Sequence, residues 1–374
     1  MKGIEALSAW THHCMAEAPE QWTAQAWLTC LRPASYAYGT AISLRSALFA
    51  RGLVRSRRLP VPVLSVGNLS AGGSGKTPFV EMLAGRLREQ GQRVVIILRG
   101  YRGGSTKPTI ISDGRDLKCE PPEAADEAYL LARHLPGVAV LTGADRYRVG
   151  EMALDHVHPS VIILDDGFQH LRLYRDLDIV LVDAGNPLGY GRLLPAGLLR
   201  EPPEAFGRAD IVVITHADAG SDLDRAIQVV RRYAPTAPIA LAVHRPVDLI
   251  DVRSGERLSL ERLDGQRLLA VSGIATPRRF QATLVRLGAI VAAHRIFPDH
   301  HHYASADLAM INAAVGQVGA SMIVTTEKDM VKLTRLDLMK VGAPLYALSI
   351  SLELVEGAEV LDAMLSRLAK LSAA

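Results

Sequence analysis

The sequence predicts an α/β fold with a mostly parallel sheet, a second and smaller α/β lobe, and an N-terminal helical region. Three observations lead to this prediction. An apolar run enters a Gly-rich turn that ends in Lys76 and Thr77. Short β-rich runs then alternate with helical patterns along most of the chain. All three tryptophans lie in the first 27 residues, ahead of that alternation. The larger lobe is therefore expected to be P-loop NTPase-like.

The segment VPVLSVGNLSAGGSGKTPFV, residues 61–80, has the order of a strand, a phosphate-binding loop and a helix start. Glycines let backbone N–H groups point at phosphates, and the helix N-terminus adds positive partial charge. Lys76 is predicted to reach the β- and γ-phosphates and Thr77 to hold Mg²⁺. A simple Gly-rich turn would leave the Gly-Lys-Thr ending unexplained. The predicted nucleotide-binding residues are Ser70, Ala71, Gly72, Gly73, Ser74, Gly75, Lys76 and Thr77, with Ser70 standing where the strict pattern has glycine.

Composition limits the class of protein. The chain has 374 residues, 49% apolar content and a formal net charge of +3. This is enough apolar material for one large or two smaller domains, and the charge is too small to indicate a nucleic-acid partner. The three cysteines lie far apart without metal spacing, which is typical of free thiols in a reducing compartment. No segment has the apolar length of a transmembrane helix or a signal core, so we expect a cytoplasmic chain.

Changes in amino-acid composition along the chain predict its division into domains. Residues 1–58 form a helical region whose tryptophans and arginines suit either a membrane interface or packing on the main domain. Residues 59–243 form the P-loop lobe. Residues 244–264 are rich in Pro, Gly and charge and are predicted to be a linker. Residues 265–374 form the smaller C-terminal α/β lobe.

The predicted elements alternate between strands and helices. In the first lobe the predicted strands are 61–66, 94–98, 138–141, 161–164, 179–182 and 211–214, and the clearest helical patterns are 78–90 and 126–134. In the second lobe the predicted strands are 268–271, 290–295 and 323–325, and the predicted helices are 278–287, 305–318 and 357–369. Such alternation favours parallel strands, whose carboxyl ends gather the active residues.

An adjacent pair of acids, Asp165 and Asp166, follows a buried apolar strand, where a P-loop enzyme keeps its Mg²⁺-binding carboxylate. Because side chains alternate along a strand, one acid would touch Mg²⁺ directly and the other through water. An Asp-Asp-Gly turn is the structural alternative. The phosphate loop upstream favours the metal site.

Other polar segments are ambiguous by themselves. Asp126 and Glu127 open a helix, where acids are ordinary capping residues, although a kinase needs a carboxylate near the acceptor hydroxyl. Arg192 and Arg200 lie in a loop punctuated by Gly and Pro. They would either grip a substrate phosphate or be solvated.

Two further patterns are weaker. Three consecutive histidines start at His300; they rarely converge on one metal, but a loop histidine over a cleft could orient a catalytic acid. The segments Thr215-His-Ala-Asp218 and Thr325-Thr-Glu-Lys-Asp329 each end a strand. Neither has the Asn of the Asn-Lys-x-Asp motif, so guanine selectivity is not predicted, and strand-end capping is the structural alternative.

Taken together, these segments resemble the tetraacyldisaccharide 4′-kinase family, the lipid A 4′-kinases of Gram-negative bacteria. The matching pieces occur in the family's order across residues 60–330: SVGNLSAGGSGKTP, LRGYRGG, ADEAYLLA, DDGFQH, GYGRLLPAGLLREP, FPDHH and TTEKD. Ser70 looks like the family's own version of the phosphate loop. Leu198 is a departure, because the family usually has Pro there.

The resemblance implies a kinase that uses ATP and Mg²⁺ to phosphorylate the 4′-hydroxyl of a tetraacyldisaccharide 1-phosphate, forming lipid IVA in lipid A biosynthesis. It implies that Asp126 is the catalytic carboxylate and that a histidine pairs with it. That histidine is His300 or, if the match is shifted by one residue, His301. The residues it places elsewhere in the site are Lys76 at the phosphates, Thr77, Asp165 and Asp166 on the Mg²⁺ side, and Glu127, Gln169, His170, Arg192 and Arg200 around the substrate.

The resemblance also implies a peripheral protein at the cytoplasmic face of the inner membrane, because an acylated substrate stays there. It implies no protein partner. Two alternatives remain at this point. A P-loop GTPase or metallochaperone-type switch would need the missing Asn-Lys-x-Asp motif. If the protein were a soluble small-molecule kinase, the Trp- and Arg-rich N-terminal region would have no membrane role and would be expected to pack as part of the core.

Overall fold

The computed structural model of the protein describes residues 10–11, 14–15, 21–100, 107–121, 123–218, 222–299 and 301–372. These residues fall into two compact units. The first unit contains the described residues up to Val243 together with those from Glu353 onward, and the second unit is His244–Leu352. Each unit has its own hydrophobic core.

The first unit is built on a mostly parallel sheet. Its strands are β1 (Val63–Asn68), β2 (Val94–Leu98), β3 (Thr109–Ser112), β4 (Ala139–Thr142), β5 (Val161–Asp165), β6 (Leu177–Asp183), β7 (Ile211–Thr215) and the start of β8 (Ile239–Asp251). The order across the sheet is β8-β7-β6-β1-β5-β2-β4-β3, and β3 pairs antiparallel with β4. Since β1 pairs in parallel with both β5 and β6, its carboxyl end lies at the middle of the sheet.

Helices α1 (Trp22–Ala50), α2 (Lys76–Glu89), α3 (Asp126–His134), α4 (Arg146–His156) and α5 (Leu223–Tyr233) belong to this unit. Their apolar residues recur at helical spacing, and the buried side chains of α2 include Phe79, Leu83 and Leu87. The buried face of α2 packs on the sheet, which fixes the direction in which its N-terminus points.

The second unit is a smaller α/β layer. Its strands are β9 (Arg257–Leu258), β10 (Arg267–Ser272), β11 (Ile290–Ile296) and β12 (Met322–Thr326), together with the end of β8 and the part of β13 (Leu345–Glu356) up to Leu352. The order is β11-β10-β12-β13-β8, with β9 against β8. Its helices are α6 (Pro277–Arg286), α7 (Ser305–Val318) and α8 (Glu327–Leu333). The parallel pairing of β10 with β11 and β12 confirms the predicted second α/β lobe.

The C-terminal helix, α9 (Ala358–Ser372), belongs to the first unit, whereas the sequence prediction placed all of residues 265–374 in the second lobe. The side chains of Leu361 and Leu365 are fully buried. Arg86 in α2 and Asp362 in α9 form an ion pair at 2.8 Å. The apolar pattern of an amphipathic helix shows that it buries one face but not which unit it packs against. The sequence therefore did not reveal that α9 packs in the first unit.

The predicted linker, residues 244–264, is structured. Strand β8 runs without a break across the boundary between Val243 and His244, and Leu249 and Leu263 are fully buried. Pro246 is tolerated in β8 because it lies between the residues that pair with β7, 239–241, and those that pair with β9, 249–250. The Pro and charge of this region therefore mark a strand that changes partners.

Elsewhere the predicted elements agree with the structure to within a few residues. Helices α3 and α7 begin and end at the predicted residues, whereas β3, β8, β9, β13, α4, α5 and α8 had not been predicted as elements. None of the described helices combines the length and apolar character needed to cross a membrane. The predicted fold class, including the N-terminal helix, is confirmed.

Candidate active site

The phosphate loop connects β1 to α2 and is shaped by a left-handed residue. Gly75 has φ 77° and ψ 24°, a conformation that side chains with a Cβ rarely adopt, and it turns the chain into the helix. The first helical hydrogen bond runs from the Phe79 N–H to the Gly75 carbonyl, at 3.1 Å. Thr77 is buried in the first turn, and Pro78 follows where a helix leaves N–H groups unpaired. The backbone of residues 70–77 thus has the form of a phosphate cradle.

The loop is organised by a fully buried side chain, Asn68, at the end of β1. The Asn68 amide nitrogen donates to the Ser70 carbonyl at 2.6 Å and to the Ser74 hydroxyl at 2.9 Å. Its amide oxygen accepts from the Lys76 ammonium at 3.1 Å. One amide therefore holds both sides of the loop and its lysine. Sequence reasoning missed this residue, although Asn68 stands inside the quoted motif between strand and glycines.

A second support comes from the end of β7. The Thr215 hydroxyl, which is buried, donates to the Ser74 carbonyl at 3.0 Å. The next residue, His216, has φ 56°, and its ring lies 3.5 Å from the Asp183 carboxylate. The Thr215-His-Ala-Asp218 segment is thus more than a strand cap, because it contacts the phosphate loop.

The two predicted acids occupy different environments. Asp165 is buried at the end of β5. Asp166 has φ 57°, which is uncommon outside glycine and is concentrated at functional sites. Both oxygens of Asp166 accept from one nitrogen of Arg200, at 2.8 and 2.7 Å, and one lies 3.7 Å from the Lys76 ammonium. Asp166 is therefore the acid that balances the basic side chains of the loop.

Opposite charges around the phosphate loop partly offset the effect of burial on the pKa values of Lys76 and Asp166. Burial lowers the pKa of Lys76, and the charges of Asp166, Asp165 and Glu127 counter part of that effect. Burial also raises the pKa of Asp166, but Lys76 and Arg200 outweigh it, so that pKa lies below its ordinary value. Glu127 lies in the first turn of α3. Its neighbour, Asp126, is half-buried at the first position of α3.

The residues after the acid pair tie it to the loop strand. The Gln169 amide donates to the Asn68 carbonyl at 3.0 Å, and the Gln169 carbonyl accepts from Arg45 of α1 at 2.8 Å. Burial, followed by the nearby positive charge of Arg146, lowers the pKa of His170 to about 4. His170 is therefore a neutral imidazole near pH 7.

The loop of residues 189–202 runs beside the phosphate loop. The Ala71 N–H donates to the Leu198 carbonyl and the Arg200 N–H donates to the Leu69 carbonyl, each at 2.7 Å. Arg200 thus enters the site with its side chain on Asp166, whereas Arg192 is exposed. The structure brings only one of the two predicted arginines to the phosphate loop.

Helix α1 holds that loop from its other side. The Ser35 hydroxyl donates to the Leu193 carbonyl at 3.0 Å and accepts from the Ala196 N–H at 2.9 Å. The Tyr38 hydroxyl donates to the Arg200 carbonyl at 2.8 Å. The buried face of α1 therefore supports the site through the loop of residues 189–202.

The predicted histidines are only partly described. His300 lies outside the described residues. His301 stacks on Phe297 with ring centroids 4.7 Å apart, and its Nε2 lies 3.0 Å from an oxygen of Asp307. His301 is thus engaged within the second unit.

Comparisons with known proteins identify the family of the chain. The family model described as "Tetraacyldisaccharide-1-P 4'-kinase" matches residues 27–369. A relative named "Tetraacyldisaccharide 4'-kinase" from Syntrophus aciditrophicus is 43% identical over 328 residues, covering 84% of this chain and 86% of the relative. One of the same name from Anaeromyxobacter dehalogenans strain 2CP-C is 42% identical over 330 residues, covering 88% and 87%.

A solved structure is also similar over most of its length. It is the "apo" form of LpxK from Aquifex aeolicus in complex with ATP, with a TM-score of 0.73 and 35% identity, and the match covers 91% of this chain and 99% of that one. The fold of the chain and these matches agree. The chain belongs to the tetraacyldisaccharide-1-P 4′-kinase family.

Proposed function

We propose that this enzyme transfers the γ-phosphoryl group of ATP to the 4′-hydroxyl of a tetraacyldisaccharide 1-phosphate, forming lipid IVA. The observation that carries the proposal is the joint placement of Lys76, Asp166 and Arg200 at a loop with a left-handed Gly75 before a helix N-terminus. Such a site binds a polyphosphate. The family to which the chain belongs supplies the acceptor, and the ATP complex of the Aquifex aeolicus structure supports the donor.

Lys76 and Thr77 are the proposed phosphate and metal ligands of the loop. The hydrogen bond from Lys76 to Asn68 aims the ammonium along the loop before nucleotide arrives, which reduces the cost of ordering it. Thr77 and Asp165 would hold Mg²⁺, with Asp166 in the second position, since Arg200 already occupies both of its oxygens. When bound, Mg²⁺ would neutralise charge on the transferring phosphoryl group.

The donor set fits a nucleotide-borne magnesium ion. Within the described ranges, no three His, Cys, Asp or Glu side chains form a preformed metal cluster. Magnesium usually takes one or two carboxylates and completes its shell with phosphate oxygens and water. Asp165, Asp166 and the Thr77 hydroxyl match this pattern.

Asp126 is the proposed catalytic base. In the step, the 4′-hydroxyl oxygen bonds to the γ-phosphorus, the bond from that phosphorus to the β–γ bridging oxygen breaks, and the hydroxyl proton passes to Asp126. His300 is the proposed second catalytic residue; the contacts of His301 with Phe297 and Asp307 support assigning the role to His300.

Arg192 is the proposed contact for the substrate 1-phosphate, because it is exposed on the loop whose other arginine holds Asp166. Gln169 and His170 are proposed to keep the acid pair in place beside the acceptor. Glu127, which follows Asp126 in the first turn of α3, is proposed to lie on the substrate side of the site.

The exposed face of α1 supports a peripheral position at the cytoplasmic face of the inner membrane. Trp22, Tyr36 and Leu44 are 79%, 75% and 60% exposed. Arg51 and Arg55, just beyond the helix, are also exposed. Aromatic and apolar side chains next to arginines suit an anionic lipid surface.

Vesicle binding tests the membrane part. We expect the triple substitution Trp22→Ser, Tyr36→Ser and Leu44→Ser to weaken binding to anionic lipid vesicles by at least about tenfold without changing the melting temperature. The control is the pair Val285→Ser and Met339→Ser, which alters exposed apolar residues of the second unit. Equal vesicle binding by the wild type and the triple variant would refute the assignment.

Incubation with labelled ATP and the disaccharide 1-phosphate tests the reaction. We expect a bis-phosphorylated lipid whose new phosphate is at the 4′ position, and no transfer to a deacylated, water-soluble sugar at comparable rates. Preferential use of GTP without lipid product would favour a nucleotide switch. Rapid phosphorylation of the soluble sugar would favour a small-molecule kinase.

A further inference from the structure

The segment Thr325-Thr-Glu-Lys-Asp329, which the proposed chemistry does not use, contains a buried carboxylate. Asp329 is 0% exposed. One of its oxygens accepts from the Gly273 N–H at 2.9 Å and from the Thr326 hydroxyl at 2.7 Å. Its other oxygen lies 3.7 Å from the ammonium of Lys332, which is itself 5% exposed. Asp329 thus fixes the end of β10 to the start of α8.

The same end of β10 holds the loop that leaves β11. The Phe297 N–H donates to the Ser272 carbonyl at 2.8 Å, and the His301 N–H donates to the Pro298 carbonyl at 3.0 Å. The ring of Tyr303 lies 5.0 Å from that of Phe297, centroid to centroid, and edge-on to it. Both flanks of residues 297–303 are therefore anchored.

Gly273 is the point where the carboxylate and both flanks meet. A Cβ at this residue would lie 3.0 Å from an Asp329 oxygen, 3.2 Å from the Pro298 carbonyl oxygen and 3.2 Å from the Tyr303 hydroxyl. These distances are shorter than ordinary van der Waals contact, so even one methyl group would displace a neighbour by a few tenths of an ångström. Asp329 and the loop residues Pro298 and Tyr303 are therefore closely packed around Gly273.

We infer that Asp329 is a positioning residue: through Gly273, Pro298 and Tyr303 it fixes the described residues on either side of position 300, which are 297–299 and 301–303. The inference rests on the proposed catalytic role of His300. Its consequence is kinetic, because a reacting group displaced by a fraction of an ångström loses rate while the fold persists.

A buried ion pair is a poor device for stability alone, since apolar residues of similar size often serve as well or better. Two buried polar atoms of this cluster, Asp329 Oδ1 and the Tyr303 hydroxyl oxygen, have no hydrogen-bond partner within the described residues, which costs stability and is typical of a site that serves something other than stability. The phenol of Tyr303 senses the carboxylate, because burial and then the charge of Asp329 raise its pKa. These properties agree with a conformational role for the cluster.

Two mild substitutions test the inference: Gly273→Ala, which pushes on the contacts, and Tyr303→Phe, which removes one hydroxyl. We expect kcat for lipid phosphorylation to fall by about tenfold with KM for ATP unchanged, since the ATP site is not touched. The matched controls are Gly316→Ala, where a Cβ meets open space, and Tyr346→Phe, a buried tyrosine of the other core cluster in this unit. Both controls should retain wild-type kcat.

A double-mutant cycle identifies the route of the effect. On a His300→Ala background, Gly273→Ala should lower kcat no further, because the group it acts through is gone. The same tenfold loss on that background, or wild-type kcat in both test variants, would overturn the positioning role while leaving His300 as proposed. Wild-type kcat in His300→Ala would instead overturn the assignment of His300 and this inference with it.

Asp329→Asn tests the carboxylate directly. It keeps the size of the side chain but removes the charge opposite Lys332. We expect a larger loss of kcat than in Gly273→Ala, again with KM for ATP unchanged. If this variant fails to fold, the Gly273 and Tyr303 variants decide the question.

Discussion

Asn68 connects the glycine-rich turn and its lysine through one amide, so the phosphate loop is organised before any nucleotide binds. Lys76 sits between that amide and the carboxylate of Asp166. The exchange of these internal partners for phosphate oxygens needs little rearrangement, which is the physical meaning of a preorganised site.

Lys76→Ala should therefore abolish most activity without unfolding the protein. We expect kcat/KM to fall by about 10²–10³, in the range found when one charge-stabilising donor is removed. Steady-state assays with labelled ATP measure this, and the circular dichroism spectrum reports on the fold. Lys370→Ala, which changes an exposed lysine of α9, should behave as wild type. Near-normal turnover in Lys76→Ala would contradict the site.

Asp126→Ala should affect turnover and nucleotide binding differently. If Asp126 accepts the hydroxyl proton, kcat should fall by about 10²–10⁴, while the dissociation constant for ATP stays within about twofold. Single-turnover kinetics and equilibrium ATP binding separate the two quantities. A variant that loses ATP affinity and keeps kcat would assign Asp126 to binding.

His170 should make the folded state sensitive to mild acid. Its imidazole titrates near 6.5 in the unfolded chain and near 4 in the folded protein. Between these values the unfolded chain binds a proton that the native state does not, so stability falls as the pH is lowered from about 6.5 to 4. The slope from this one group stays below about 1.4 kcal/mol per pH unit.

Urea denaturation at pH 7 and pH 5 measures the effect. His170→Gln should lose less stability over this interval than the wild type does, because the depressed pKa has been removed. The charged groups that act on the ring, in addition to Arg146, are Asp145, Arg175 and Arg45. An equal loss in both proteins would show that burial does not hold His170 neutral.

Helix α9 shows how a distant element stabilises the nucleotide-binding unit. It follows the second unit in sequence yet buries its leucines in the first. Leu361→Ala should lower the free energy of unfolding of this unit by about 2–5 kcal/mol, the usual range for a buried leucine. Asp362→Ala, which breaks only the partly exposed ion pair with Arg86, should change it by less than about 1 kcal/mol. Chemical denaturation of both variants measures the difference, and similar small effects would place α9 outside the core.

Helix α1 has two faces with separate tasks. Ser35 and Tyr38 hold the loop of residues 189–202, whereas Trp22, Tyr36 and Leu44 are exposed. The sequence had left packing and membrane contact as alternatives for this region. The described part of the helix contains residues suited to each, because a helix presents successive residues to different sides.

Across the whole chain, ligand binding should protect the two units unequally. A nucleotide that binds only the native first unit stabilises it by mass action, by about 2.7 kcal/mol at a hundredfold excess over Kd. We expect MgATP to slow hydrogen exchange in β1 and β5 more than in β10 and β12. Peptide-resolved exchange with and without MgATP tests this, and equal slowing in β10 and β12 would show that both units open together.

Local motifs were predictable from the sequence because their chemistry is contiguous. The phosphate loop ends at Lys76 and Thr77, and the acid pair lies at the end of β5, where Asp165 is the last strand residue. Long-range features were not predictable. The hydrogen bonds from Arg200 to Asp166, the continuation of β8 through Pro246 and the return of α9 depend on pairing between segments far apart. No periodicity or spacing encodes such pairing.

Leu198, which departs from the family's usual Pro, shows why that loop tolerates change. Its N–H donates to the Gly189 carbonyl at 3.0 Å, a bond that Pro lacks, and its carbonyl accepts from Ala71. The contacts that align this segment with the phosphate loop are made by main-chain atoms. A change of side chain at position 198 is therefore compatible with a fixed nucleotide site, because main-chain atoms set the spacing between the two loops.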